Sequence, residues 1–155
     1  MKLNLGELVV TSPAFSHGGR LPDAHSANGE GVSPELSWSG VPEGTRSFVL
    51  VVDDPDAPLV GGFVHWVLYG IPADATSIQQ GGGAQYRQGL NSRGEPGWRP
   101  ASPPPGHGTH HYFFHLYALD EDLGLPEGLP AREVLDRIGA HVINQARVVG
   151  TYSND

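Results

Sequence analysis

The chain has 155 residues, room for one domain with a proper core. Nine Lys and Arg against 17 Asp and Glu give a net charge of −8, which argues against non-specific nucleic-acid binding and against electrostatic attachment to anionic membranes. The absence of cysteine excludes disulfides and thiol catalysis, while a small anion held in a local pocket of donors stays compatible with the charge.

The 22 glycines and 14 prolines lie mostly between apolar runs, a pattern of many turns and few helices. Met1–Glu7 lacks the apolar core of a signal peptide, and no run approaches a membrane span. A soluble, cytoplasmic single domain over residues 1–155 is the expectation.

Leu5–Val10 reads as a first strand, followed by a stretch from Thr11 to Ser33 rich in Gly, Ser and His. Pro34–Trp38 alternates apolar and polar residues, as a half-buried strand does. Val41–Gly44 is a turn, and Phe48–Val52 is an apolar strand. Asp53-Asp54-Pro55-Asp56-Ala57-Pro58 then packs three carboxylates and two prolines into six residues. Gly61-Gly62 permits unusual backbone angles before the next strand, Phe63–Tyr69, which Ile71-Pro72 ends. Gln79–Gly108 is a long loop of the kind that carries function. Tyr112–Leu119 is a strongly apolar strand. Leu129–Ala146 is the one good helix, with Pro130 in its first turn and Leu135, Ile138 and Val142 on one face. Val148–Tyr152 is a short last strand. No internal repeat is present. The pattern predicts a mainly β antiparallel sandwich with long loops and a helix near the C-terminus.

Period-2 alternation places His110, Tyr112 and Phe114 on one face and His111, Phe113, His115 and Tyr117 on the other. His111 and His115 are separated by about 13 Å at about 3.3 Å per residue, too far to share a metal. His107, His110 and His65 have no spacing that demands one. His110 and Tyr112 are better read as a pair of donors for a phosphate or carboxylate oxygen, although taken alone they are more simply core-edge residues. On the next strand Phe63, His65, Val67 and Tyr69 alternate with Val64, Trp66 and Leu68. A lone histidine among apolar neighbours is usually structural. The nearby acids raise the alternative that Asp54 or Asp56 fixes the His65 tautomer. The acidic turn itself also reads as a capped loop, with at least one Asp bonding only backbone amides.

There is no Gly-x-Ser-x-Gly elbow, P-loop, dinucleotide fingerprint or calcium loop, so no cofactor is implied. A weak Asp–His hydrolase ranks below a binding function for want of an evident nucleophile.

Taken together, the motifs resemble the phosphatidylethanolamine-binding proteins, in particular their bacterial Raf-kinase-inhibitor-like branch. The resemblance rests on Thr11–Phe15, Val32–Trp38, Gly40–Thr45, Asp53–Pro58, Phe63–Tyr69, His110–Tyr112 and Val149–Tyr152. It implies an antiparallel β-sandwich with Greek-key-like connections and a small pocket for phosphate-type head groups at one end. The matching pocket residues are Asp54, Asp56, His65, His110 and Tyr112, with Pro103 and Pro104 on the rim and Trp66 as a pocket aromatic. The resemblance also implies a non-enzymatic binding protein, a protein partner such as a kinase or protease, and a homodimer. Three segments depart from the branch. His25–Gly29 lacks its Cys and Asp, Pro100–Pro104 lacks a Gly and a Pro, and Ser92–Glu95 replaces its usual Asn-Asp-Phe-Gly.

Overall fold

The structure is a computed structural model that describes residues 6–154. Strands β1 (Val9–Thr11), β2 (Leu36–Ser39) and β5 (Ser77–Ile78) form one antiparallel sheet, in the order β1-β2-β5. The other antiparallel sheet is built from β3 (Ser47–Asp54), β4 (Phe63–Pro72), β6 (Arg87–Gln88), β7 (His110–Leu119) and β8 (Val142–Tyr152), in the order β6-β4-β3-β7-β8. β3 and β4 form a hairpin, and β7 returns by a long connection to pair with the far side of β3. The sandwich predicted from the sequence is therefore the fold.

β3 is apolar from Phe48 to Val52 because both its faces are covered there. Phe48, Leu50 and Val52 face the first sheet and meet Trp38, Leu36, Trp66 and Phe114 in the main core. Val49 and Val51 face the other way, into a second core under helix α1 (Ala131–Ile138). A continuous apolar run, in place of alternation, is what burial on both faces requires.

The helix is shorter than its predicted span of Leu129–Ala146. It stops at Ile138, and Val142–Ala146 pairs with β7 as the start of an 11-residue β8 that also absorbs the predicted strand Val148–Tyr152. Gly139 ends the run of good helix formers, and β-branched Val142 and Ile143 suit the sheet edge they join. The buried helix face is Ala131, Val134 and Ile138, while Leu135 is exposed. Other boundaries move less. The first strand covers Val9–Thr11, with Leu5 outside the described residues, and the predicted loop Gln79–Gly108 contains the two-residue β6.

Two local features shape the end of β3 and β4. Gly61 and Gly62 take φ of +82° and +76°, the left-handed region that glycine enters without steric cost. A Cβ on Gly62 would come within 2.6 Å of the Asp54 carbonyl oxygen. On β4, Val52 pairs with Trp66 and Asp53 with Val64, which leaves His65 as the extra residue of a β-bulge.

Candidate functional site

A cavity of about 330 Å³ opens where β3, β4 and β7 end together. Its polar lining comes from Asp54, His65, His110, Tyr112, Ser102, Arg93 and Arg99, and Pro103 and Pro104 stand on its wall. Six of the eight residues expected from the sequence are thus brought together. Asp56 and Trp66 are not.

The bulge explains His65 and Trp66. With strict alternation His65 would share a face with Val67 and Tyr69, under the helix. The extra residue lets both His65 and Trp66 turn toward the inter-sheet side. Trp66 packs in the main core with Leu68, its indole N–H donating to Gln88 Oε1 at 3.3 Å. His65 is left at the strand end, with its ring 5.2 Å from that of Tyr112. Bulges commonly re-aim a side chain next to a site in this way.

A backbone carbonyl, and neither Asp54 nor Asp56, orients His65. Its Nδ1 donates to the Arg99 carbonyl at 2.6 Å, and the Arg99 N–H donates back to the His65 carbonyl at 2.8 Å. Because a carbonyl only accepts, this bond fixes the proton on Nδ1 and leaves Nε2 with a lone pair. Burial lowers the His65 pKa below the ordinary imidazole value, against the raising effects of the Arg99 carbonyl and the Asp54 and Asp53 charges. The imidazole is 5% exposed and neutral.

Asp54 instead holds His110. Its Oδ2 accepts from His110 Nδ1 at 2.6 Å, and its Oδ1 accepts from the Asp56 backbone N–H at 2.8 Å. The other His110 nitrogen, Nε2, lies 2.6 Å from His107 Nδ1. Both ring nitrogens of His110 are therefore engaged, so it is a positioning group in this arrangement and not the free donor expected. The other two acids of the turn take the outward face of β7. Asp53 accepts from His115 Nε2 at 3.0 Å, and Asp56 Oδ2 accepts from both the N–H and Nδ1 of His111 at 2.8 Å. Partial burial opposes the Asp56 charge, but the His111 bonds outweigh it and hold the Asp56 pKa below its usual range.

The alternation predicted for β7 holds: His110, Tyr112 and Phe114 point inward. Tyr112 is 1% exposed, and burial together with the Asp54 charge drives its pKa well above the phenol range. It stays protonated, and among the described residues its hydroxyl has no hydrogen-bond partner. It is the neutral O–H donor of the cavity floor.

Arg93 and Arg99 were not singled out from the sequence. They reach the cavity because the 89–101 segment runs along the free edge of β4. Gly89 N–H donates to the Val67 carbonyl, Ser92 N–H to the Val64 carbonyl and Arg99 N–H to the His65 carbonyl. Buried Asn91 knots this segment, its Oδ1 accepting from the Arg93 and Glu95 amides and its Nδ2 donating to the Gly97 carbonyl. Neither arginine has a carboxylate partner among the described residues. The signal in sequence was no more than three arginines, Arg87, Arg93 and Arg99, in a long loop of an acidic chain. The His25–Gly29 segment, one of the three that depart from the branch, does not line the cavity. It braces the 100–104 wall from behind, with backbone bonds between Ala101 and both His25 and Ala27 and with Ser26 bonded to the Tyr152 hydroxyl.

Comparison with known proteins agrees with this fold. A profile of the phosphatidylethanolamine-binding proteins matches residues 11–153. A UPF0098 protein of Aquifex aeolicus is 40% identical, over 96% of this chain and 90% of its own. The crystal structure of a phosphatidylethanolamine-binding protein homolog from Chlamydia trachomatis superposes with a TM-score of 0.91 at 38% identity, covering 97% of this chain and 99% of the other. That of Escherichia coli YbcL gives 0.89 at 34% identity, covering 96% and 99%. The chain belongs to the phosphatidylethanolamine-binding protein family.

Proposed function

We propose that the protein is a non-enzymatic binding protein whose pocket holds a small anion of the phosphate head-group type. One observation carries this reading: a buried, protonated Tyr112 hydroxyl shares a cavity with Arg93 and Arg99, and among the described residues the hydroxyl has no hydrogen-bond partner and neither cation a carboxylate partner. An O–H donor beside guanidinium groups is the chemistry that holds phosphate oxygens. Binding in place of turnover is favoured by the lining. Its aliphatic hydroxyl, Ser102, makes no hydrogen bond to either histidine among the described residues, so no activated nucleophile is assembled. Isothermal titration with inorganic phosphate and with phosphoethanolamine at neutral pH tests the reading. Saturable binding that weakens in Tyr112→Phe is expected, and affinity unchanged in that variant counts against it.

A second reading, a regulator that contacts a kinase or protease, is favoured by Leu59 and Val60. They stand at the tip of the 55–62 turn beside the pocket, Leu59 being 57% exposed and Val60 fully so. A pull-down partner that is lost in Leu59→Ser/Val60→Ser and kept in Tyr112→Phe would support it.

A further inference from the structure

His65 and the acids behind it pose a problem for any anion in this pocket. The floor presents one donor, the Tyr112 hydroxyl, and one acceptor, the His65 Nε2 lone pair, because Nδ1 carries the proton to the Arg99 carbonyl. His110 offers nothing free, with Nδ1 on Asp54 and Nε2 on His107. A bare, fully ionised phosphate would set an oxygen lone pair against the Nε2 lone pair.

The charges lining the cavity are Asp54, Arg93 and Arg99. Two guanidiniums and one carboxylate leave a surplus of one positive charge among these three, which matches a load of one negative charge. A phosphate monoester near pH 8 carries about two, since its second pKa is about 6. Adding one proton to that dianion settles both mismatches. The proton lies between a phosphate oxygen and His65 Nε2, and the remaining single charge meets the arginine pair.

The groups around His65 permit this. Asp53 and Asp54 from β3 favour a proton on the ring, Arg99 opposes it, and Tyr112, Phe63 and Trp98 are neutral. A phosphodiester has no second ionisation and brings no P–O–H. Its phosphate group can satisfy Nε2 only by protonating the buried ring outright.

We infer that the pocket selects phosphate monoesters over diesters by taking up the anion together with one proton, the charge being met by Arg93 and Arg99 and the proton by His65 Nε2. This rests on the anion-pocket reading above and names its ligand class. A free monoester and a lipid ending in one share the chemistry.

The test is isothermal titration at pH 8 in Tris and in HEPES, whose different ionisation heats reveal proton uptake. The probes are methyl phosphate, a monoester, and dimethyl phosphate, a diester, neither of which has an ammonium or hydroxyl group that could donate to Nε2 instead. Uptake near one proton per methyl phosphate is expected, with the diester at least about tenfold weaker. Arg93→Gln and Arg99→Gln should each weaken the monoester by about tenfold, the worth of one charge-assisted contact. His65→Gln should abolish the uptake, with folding checked by its thermal midpoint. Uptake near zero, a diester that binds as tightly, or arginine variants that bind like the wild type would overturn the inference while leaving the anion pocket standing. If neither probe nor inorganic phosphate binds, the anion pocket itself falls, and this inference with it. If methyl phosphate passes, vesicles containing phosphatidic acid against vesicles containing phosphatidylethanolamine separate a lipid source from a soluble one.

Discussion

Tyr112 and His65 meet edge to face on the cavity floor, ring centroids 5.2 Å apart at 73°, and they offer a ligand opposite chemistry. The phenol donates and the imidazole Nε2 accepts. Tyr112→Phe removes the donor and leaves the packing. Phosphate affinity should fall by about five- to tenfold, the net worth of one hydrogen bond of about 1 kcal/mol. Stability should change by less than about 0.5 kcal/mol, because no protein partner is stranded. Titration calorimetry and urea unfolding measure the two effects separately.

Asp54→Ala should behave differently. It strands one buried donor, His110 Nδ1–H, at about 1–3 kcal/mol, and removes the acceptor of the Asp56 amide in the exposed part of the turn. A clear drop in the urea midpoint is expected. Asp56→Ala, whose carboxylate bonds an exposed histidine, should cost about 1 kcal/mol or less. Equal losses in the two variants would mean that the buried pair is not what organises the turn.

Stability should also depend on pH through His65. Its folded pKa lies below the unfolded value, so the unfolded chain binds the extra proton first. The contribution is complete above the ordinary imidazole pKa of about 6.5 and is lost as pH falls through the lower folded value. His65→Gln should flatten this part of the profile. A second loss is expected at more acid pH, when Asp56 is protonated below its usual carboxylate range. Thermal midpoints measured from pH 8 to pH 3 report both.

The two glycines of the turn should separate cleanly on mutation to alanine. Gly61→Ala meets open space and carries only the left-handed strain of about 1–2 kcal/mol. Gly62→Ala carries that strain and also drives its Cβ to 2.6 Å from the Asp54 carbonyl oxygen. It should cost more in stability and also weaken phosphate binding, since the clash displaces the residue that holds His110. Unfolding and titration of the two variants side by side decide it.

Trp66→Phe should leave phosphate affinity within about twofold while lowering stability by about 1–3 kcal/mol, as expected for a repacked core aromatic. A large loss of affinity would place the indole in the pocket after all.

The β7 half of the site was legible in the sequence because a regular strand obeys a period of two. His110, Tyr112 and Phe114 had to share a face, and they do. The motif around Asp53–Pro58 was equally readable, and Asp54 lines the cavity and holds His110. What stayed hidden depends on relations between segments. The orientation of His65 follows from how β4 pairs with β3, and the β4 sequence alone does not contain that register. The helix end was misplaced because Val142 continues an apolar spacing that suits a helix and a sheet edge alike. Arg93 and Arg99 sit in a loop, where no periodicity applies. Their placement depends on Asn91 and on backbone bonds to the edge of β4.

The extra residue in β4 carries a lesson for anyone moving this site elsewhere. A regular two-stranded template copied at equal length would seat the indole or the imidazole correctly, never both. Transplanting the pocket therefore means transplanting a one-residue insertion, and deleting a single position near His65 should erase the recognition chemistry while sparing the sandwich.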